Sequence, residues 1–282
     1  MIIPDIYRPK PKYPTYPPYH QGLYLEDYFY EFSKGYEFSK GKTFNREYIP
    51  IFWTTLYCDQ VPLSISGILS RLDSSKRYFT VCQHDDAPRE KLPPDTLIFS
   101  SGGNIESKNI IPIPLISSKI QNPDLSKPRD IFCSFIGSVT NPIRQNMINR
   151  LINTDGYYLK YSNWVPNVPM ANFYHFKDIT EKSEFCLCPR GYGKSSFRLY
   201  ESMQLGAIPV YVSDKHFLPW EKELDWTKFC VIVKENEIEN IPQILRSISS
   251  EQKQEMREYA QKIYDEYFSL EGVCNKIVSK LY

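Results

Sequence analysis

The segment from Phe185 to Asp214, Phe-Cys-Leu-Cys-Pro-Arg-Gly-Tyr-Gly-Lys-Ser-Ser-Phe-Arg-Leu-Tyr-Glu-Ser-Met-Gln-Leu-Gly-Ala-Ile-Pro-Val-Tyr-Val-Ser-Asp, constrains this chain more than any other. It reads as strand, glycine-rich loop, helix, tight turn and strand. Residues 183–188 form a short apolar run of the kind found in buried parallel strands. Pro189, Gly191 and Gly193 break that run and open a loop. Ser195 or Ser196 can cap a helix running to about Leu205. Gly206 then supplies the left-handed residue that ends it. Ile208 to Val212 is a second β-branched strand. A loop that leads from a parallel strand into a helix N-terminus presents free N–H groups and positive dipole potential, which suits an anion.

The charged residues of the segment fit that reading. Arg190 and Lys194 lie in the loop, Arg198 lies in the helix, and Glu201 follows three positions later on a neighbouring face. Cations and a helix terminus suit a diphosphate, and a carboxylate suits ribose hydroxyls, so together they suit a sugar nucleotide. An alternative is a P-loop, because Gly193-Lys194-Ser195 matches the end of that motif. Its first glycine would fall at Cys188, and no strand-ending Asp for Mg²⁺ is evident. Plain structural strand–helix–strand packing with incidental charges is the remaining option.

The segment resembles the signature of the exostosin family of glycosyltransferases. Cys188, Pro189, Arg190, Gly191, Ser196, Arg198, Glu201, Gly206, Pro209 and Val210 carry the resemblance, with Asp214 and Leu218-Pro219-Trp220 as its continuation. It implies a GT-B fold, an inverting reaction and a nucleotide-sugar donor bound by the C-terminal half. Animal and plant members carry a Golgi membrane anchor. No signal peptide is visible here, and no apolar run nears the roughly 20 residues of a membrane span. The chain is therefore expected to lack a membrane segment and to act in the cytoplasm. In this it is similar to the short exostosin-like proteins of large DNA viruses of algae and amoebae, where host cytoplasm would be the site. That resemblance implies UDP-xylose as first donor, UDP-galactose as second, and a capsid glycan as acceptor. A fucosyltransferase-like enzyme using GDP-fucose shares the helix Glu and the Gly-x-x-Pro-Val ending. A glycan- or nucleotide-binding module without catalysis is the reading from another class.

Bulk properties are compatible. The chain has 282 residues, 41% of them hydrophobic and 24% charged, with net charge +1. That balance gives no electrostatic case for nucleic acid or a membrane surface. Seven cysteines, an odd number lying mostly in apolar runs, suit reduced buried thiols.

Along the chain, residues 1–20 hold six prolines interleaved with tyrosines and are expected to form an extended arm on the body. A helix is expected from Glu26 to Ser33. Tyr48–Tyr57 is expected as a strand, followed by a helix near Leu63–Leu72 and strands near Lys76–Gln83, Thr96–Ser100 and Ile110–Ile116. The polar, proline-containing stretch 121–130 is the candidate linker. Beyond it come a strand at Ile131–Ile136, an Asn141-Pro142 helix start, a strand at Tyr157–Tyr161, the signature unit, a strand at Phe229–Val233, and a Ser249-x-x-Gln252 capping box. The pattern is α/β with two Rossmann-like units facing across a cleft and helices closing the chain. The expected division is 1–125 for acceptor binding and 126–282 for the nucleotide sugar.

The donor site is expected to use Gly137, Arg144, Arg190, Gly191, Tyr192, Gly193, Ser195, Ser196, Phe197, Arg198 and Glu201. Gly137 ends a strand and permits close backbone approach. Arginine offers a planar fork for phosphate oxygens, although Arg198 and Glu201 could equally form a structural ion pair. An inverting reaction needs a base from the opposite half. The strand ending at Gln83 delivers His84, Asp85 and Asp86 at its carboxyl edge, taken in the order Asp85, His84, Asp86. Asp73 is an outlying candidate, and a turn in which these residues cap backbone groups is the alternative. Asp85-Asp86 is not an Asp-x-Asp pair, and His20, His84, His175 and His216 are dispersed, so no metal is expected. Trp53, Trp164 and Trp220 are candidate platforms for an acceptor sugar.

Overall fold

The computed structural model describes residues 3–10, 25–40, 44–59, 63–116, 119–165 and 168–282. Most of the expected proline/tyrosine arm lies outside these residues, as does His20. Its described part contains a turn of 3-10 helix at Asp5–Tyr7 and a buried Ile3. No described helix is long and apolar enough to cross a membrane.

The first half is built on strands β1 (Glu47–Tyr48), β2 (Tyr78–Cys82), β3 (Leu97–Ser100) and β4 (Ile110–Pro112), hydrogen-bonded in that order and all parallel. Helix α1 (Leu25–Lys40) precedes them. Helices α2 (Trp53–Cys58) and α3 (Ile65–Leu69) fill the first crossover. The strand expected over 48–57 is corrected here, because only Glu47–Tyr48 pairs with β2 and Trp53–Cys58 is helical. Pro50 removes a ladder donor. The start of α2 is then fixed from far away in sequence. The buried carboxylate of Glu26 in α1 accepts from Thr54 N at 2.9 Å and from Thr54 Oγ1 at 2.8 Å. It also accepts from Gln83 N at 2.9 Å, just past β2. A cap supplied 28 residues away leaves no local signal.

The second half holds β5 (Ile131–Ser138), β6 (Tyr157–Ser162), β7 (Ser183–Pro189), β8 (Ile208–Val212) and β9 (Val231–Val233) in the order β6-β5-β7-β8-β9, again all parallel. Its crossovers are α4 (Pro142–Leu151), α5 (Met170–Glu181) and α6 (Phe197–Gln204). Asn141 caps α4 by accepting from Ile143 N, and Pro142 opens it, as the sequence indicates. Ile143, Met147, Ile148 and Leu151 form its buried face. Gly206 ends α6 with φ +71°. Helix α5 was not anticipated. Pro169 precedes it without a side-chain cap, and its buried Glu181 is satisfied by Lys177 one turn earlier and by Lys127 and Asp124 N from the stretch before it. Through Lys127 and Asp124, the polar stretch 121–130 is held against the end of α5.

Helices α7 (Ile241–Arg246), α8 (Ser250–Tyr267) and α9 (Leu270–Ser279) close the chain, with the Ser249/Gln252 capping box formed at the start of α8. Helix α7 packs on the second sheet through Ile241 and Leu245, whereas α8 and α9 reach the first. A single buried cluster runs from Leu25, Phe29, Phe79 and Phe99 through Leu199, Tyr200 and Met203 to Trp226, Phe268, Val273 and Ile277. Asn45 N also donates to Leu281 O at 2.9 Å. Separate clusters cover the outer face of each sheet. The two halves therefore share their central core. Six of the seven cysteines are buried, and none is in a disulfide.

Phe29 sits fully buried in that shared core, edge-on to Tyr48 and Phe79 with centroids at 5.3 and 6.0 Å. Phe29→Ala is expected to cost about 3–5 kcal/mol. The shared core further predicts one urea transition, with tryptophan fluorescence and far-UV circular dichroism coinciding in wild type and variant. Two separated transitions would show that the halves fold independently.

Candidate active site

The chain passes from β5 to β6 on one side and then to β7 on the other. The crevice beyond the carboxyl ends of β5 and β7 is thus a topological switch point, where open α/β sheets bind ligands. A cavity of about 190 Å³ lies there. Gly137, Ser138, Thr140 and Arg144 line it from β5 and the start of α4. Gly191, Tyr192, Gly193, Ser195 and Ser196 line it from the loop after β7, and Phe197, Arg198 and Glu201 from α6. Asp85 and Leu115 reach it from the first half, and Trp164 stands at its side, 60% exposed.

Arg144 joins the two strand ends. Its guanidinium donates to Ser138 O at 2.8 Å, Arg190 O at 3.1 Å and Pro189 O at 3.2 Å, and Nη2 lies 3.4 Å from Ser196 Oγ. A planar fork of five donors can bridge several carbonyls in this way. Gly191 N closes the loop on Ser195 O at 3.0 Å. Ser196 occupies the N-cap of α6 in extended conformation, yet its hydroxyl makes no capping bond. Ser195 Oγ is buried without a hydrogen-bond partner of ordinary geometry. The start of α6 thus presents backbone N–H groups and hydroxyls toward the cavity.

The three arginines proposed from sequence separate here. Arg144 and Arg198 line the cavity, whereas Arg190 turns to Glu235, with Nε 3.0 Å from Oε1, and does not line it. Arg198 is buried, pairs with Glu201 at 2.6 Å, and stacks over Phe176 at 3.7 Å. Burial raises the Glu201 carboxyl pKa, and Arg198 opposes that shift. Lys194 gives its backbone N–H to Gly102 O at 2.8 Å and holds its ammonium 5.8 Å from the Phe217 ring centroid. It is not among the cavity residues, which weakens the P-loop alternative. Gly137 lies in the wall, its open side filled by the Phe135 ring.

Of the four acid–base candidates, only Asp85 lines the cavity. A Cβ on Gly193 would overlap its Oδ1 and lie 2.7 Å from its Cγ and 2.9 Å from Gly102 O. A Cβ on Gly102 would likewise strike the Asp85 backbone. Burial pushes the Asp85 carboxyl up to about 7, assisted by Asp86 and opposed by Arg144. Asp86 behaves differently. Partial burial would raise it, but donors on Asn104 (2.9 Å), Arg89 (2.8 Å) and Tyr192 (3.0 Å) hold it below the usual carboxylate range. The Tyr192 bond crosses between the halves. His84 accepts Asp86 N on Nδ1 at 3.1 Å, stands edge-on to Tyr57, and has its pKa lowered chiefly by burial. Asp73 is an exposed turn residue that accepts from Ser75. Trp53 and Trp220 are buried. Residues that the sequence reading did not single out include Thr140, Leu115, Gly102 and Asn104. For Gly102 and Asn104 the Ser101-Gly102-Gly103-Asn104 run after β3 was the available signal.

Two parallel α/β halves, closing helices returned to the first, and a cavity at the switch point between them define the GT-B arrangement of glycosyltransferases. The sequence matches the exostosin GT47 domain over residues 77–248, and the chain belongs to that family. Among curated relatives, an exostosin-1 homolog of Caenorhabditis elegans is 36% identical over 94 residues, covering 33% of this chain and 25% of its own. A probable glycosyltransferase of Arabidopsis thaliana is 32% identical over 124 residues, covering 44% and 23%. The matched part thus spans about a quarter of the length of these relatives. Among solved structures, a glycosyltransferase of Rickettsia africae aligns with TM-score 0.41 and 11% identity, over 77% of this chain and 78% of that one.

The two glycines give a direct test of the packing. Gly193→Ala is expected to destabilise by about 1–3 kcal/mol, because the loop must retreat from Asp85. Gly35→Ala, in α1 with nothing within 4 Å, should stabilise slightly. Urea titration of both variants checks the pair, and equal effects would contradict the close approach.

Proposed function

We propose that the protein transfers a sugar from a UDP-sugar, UDP-xylose first, to a hydroxyl of a glycan acceptor, with inversion and without a catalytic metal. The observation that supports this reading most is the single cavity lined both by the start of α6 and by Asp85 from the opposite half. In this reading the diphosphate rests on the N-terminus of α6, near Ser195, Ser196, Arg144 and Arg198. Glu201, held by Arg198, accepts from the ribose hydroxyls. As the anomeric C–O bond breaks, charge grows on the β-phosphate oxygen. The helix terminus and the arginines stabilise it there. The acceptor oxygen attacks from the opposite side and passes its proton to Asp85. A carboxyl near pH 7 is suited to that exchange, since it is substantially ionised yet basic enough to hold the proton.

Arg198→Ala is expected to weaken UDP binding by about 1.5–3 kcal/mol, the range for a hydrogen bond to a charged group. Calorimetry that finds tighter binding of ATP with Mg²⁺, or of GDP, would replace the donor assignment. Asp85→Asn should lower kcat at least about a hundredfold while leaving UDP affinity nearly unchanged. The Asp85 pKa is raised, so its basic form is gained as pH rises. The kcat/KM profile should climb through about pH 7 in wild type and lose that limb in Asp85→Asn. Turnover should survive excess EDTA, and an α-linked donor should give a β-linked product by NMR. A variant Asp85→Asn with normal turnover would move the base elsewhere, and a chain that binds UDP but transfers no sugar would be a binding module.

A further inference from the structure

No described residue donates a hydrogen bond to the Asp85 carboxyl, so packing sets its orientation. Its walls are two glycines. A Cβ on Gly193 would lie 2.7 Å from Cγ, and a Cβ on Gly102 would lie 2.7 Å from Oδ1. Whatever fixes those glycines therefore aims the carboxyl. The Lys194–Gly102 backbone bond joins the two segments at one point. One hydrogen bond acts as a pivot, and a further attachment limits rotation about it.

The side chain of Asp86 supplies that attachment. Its Oδ1 accepts from Asn104 Nδ2 at 2.9 Å, just beyond Gly102. Its Oδ2 accepts from Tyr192 Oη at 3.0 Å, immediately before Gly193, and from Arg89 of its own turn at 2.8 Å. Asn104 also gives its backbone N–H to Asp85 O at 3.0 Å. One carboxylate thus gathers the turn after β2, the segment after β3 and the loop after β7. Asp86 does not line the cavity and belongs to no buried cluster. It can act on the reaction only through its neighbour, and its removal leaves the core intact.

We propose that Asp86 is a positioning residue for the base: it ties Tyr192 and Asn104 together and so clamps the Asp85 carboxyl between Gly193 and Gly102. The inference rests on the reading of Asp85 above as the base. Charge adds a second effect. A carboxylate beside Asp85 disfavours its ionisation, whereas Arg144 across the cavity favours it. The other groups around the pair change this little. Burial keeps His84 neutral and pushes the Cys58 thiol, at the end of α2, up to about 11, and Arg89 faces Asp86.

The test is turnover of the full chain across pH, read as UDP release from UDP-xylose with water as the acceptor. Water attacks the anomeric carbon, UDP leaves, and the proton passes to Asp85. Asp86→Ala should lower kcat by about ten- to a hundredfold, the effect of a misaimed group, with UDP affinity and the urea midpoint near wild type. Asp86→Asn keeps an acceptor for the clamp and should recover part of that loss. Both variants remove the charge, so the limb near pH 7 should move to lower pH in both. Tyr192→Phe added to Asp86→Ala should lower kcat little further, because both break one tie. Wild-type kcat and limb in Asp86→Ala, or a loss that tracks unfolding with the limb unmoved, would overturn the positioning role and leave Asp85 standing. So would independent, multiplying losses from Asp86→Ala and Tyr192→Phe. Normal turnover in Asp85→Asn, or a wild type that releases no UDP, would instead remove the base reading, and this inference with it.

Discussion

The candidate site depends on one close approach. The loop after β7 meets the segments after β2 and β3, with Gly193 against Asp85 and Gly102, and the Lys194–Gly102 backbone hydrogen bond fixes the distance. A side chain at Gly193 would push the halves apart, and one at Gly102 would displace Asp85 within the first half. The same approach half-buries Asp85, and loss of solvation is the main cause of its raised pKa. It also sets Tyr192 within reach of Asp86. Cavity shape, carboxyl basicity and the contact between the halves thus share one steric origin.

Asp85 and Asp86 are adjacent in sequence, yet their environments drive them apart. Asp85 faces a poorly solvated cavity, whereas Asp86 is surrounded by three donors and stays a carboxylate. Opposite shifts on neighbouring groups separate a group suited to proton exchange from one suited to holding a fixed charge. The Arg144 bridge has a comparable effect on the other side of the cavity. By joining the ends of β5 and β7 through three backbone carbonyls, it holds open the crevice that strand order creates.

Much of the second half was legible because its signals are local. The Gly206 stop, the Asn141-Pro142 start, the Ser249/Gln252 box and the apolar runs of β5, β7 and β8 each lie within a few residues of what they specify. The loop after β7 was legible for the same reason. What escaped was set by distant partners. The start of α2 is capped by Glu26, and α5 ends on a carboxylate bound to Lys127 and Asp124 N. The turn of Arg190 toward Glu235 escaped for this reason too. Sequence offered four acid–base candidates, each placed after a strand end or a helix end. Only the packing of Gly193 against one of them distinguishes Asp85.

The joint core carries a consequence for synthesis. The aromatic face of the first sheet, around Phe29, Phe79 and Phe99, is completed by side chains of α9 such as Val273 and Ile277. A nascent chain emerging from the ribosome has therefore made both sheets before it possesses the residues that cover the first. Domains commonly fold as units during translation, N-terminal first. Here the first half keeps part of its apolar face uncovered, open to chaperones or to collapse on itself, until α9 arrives.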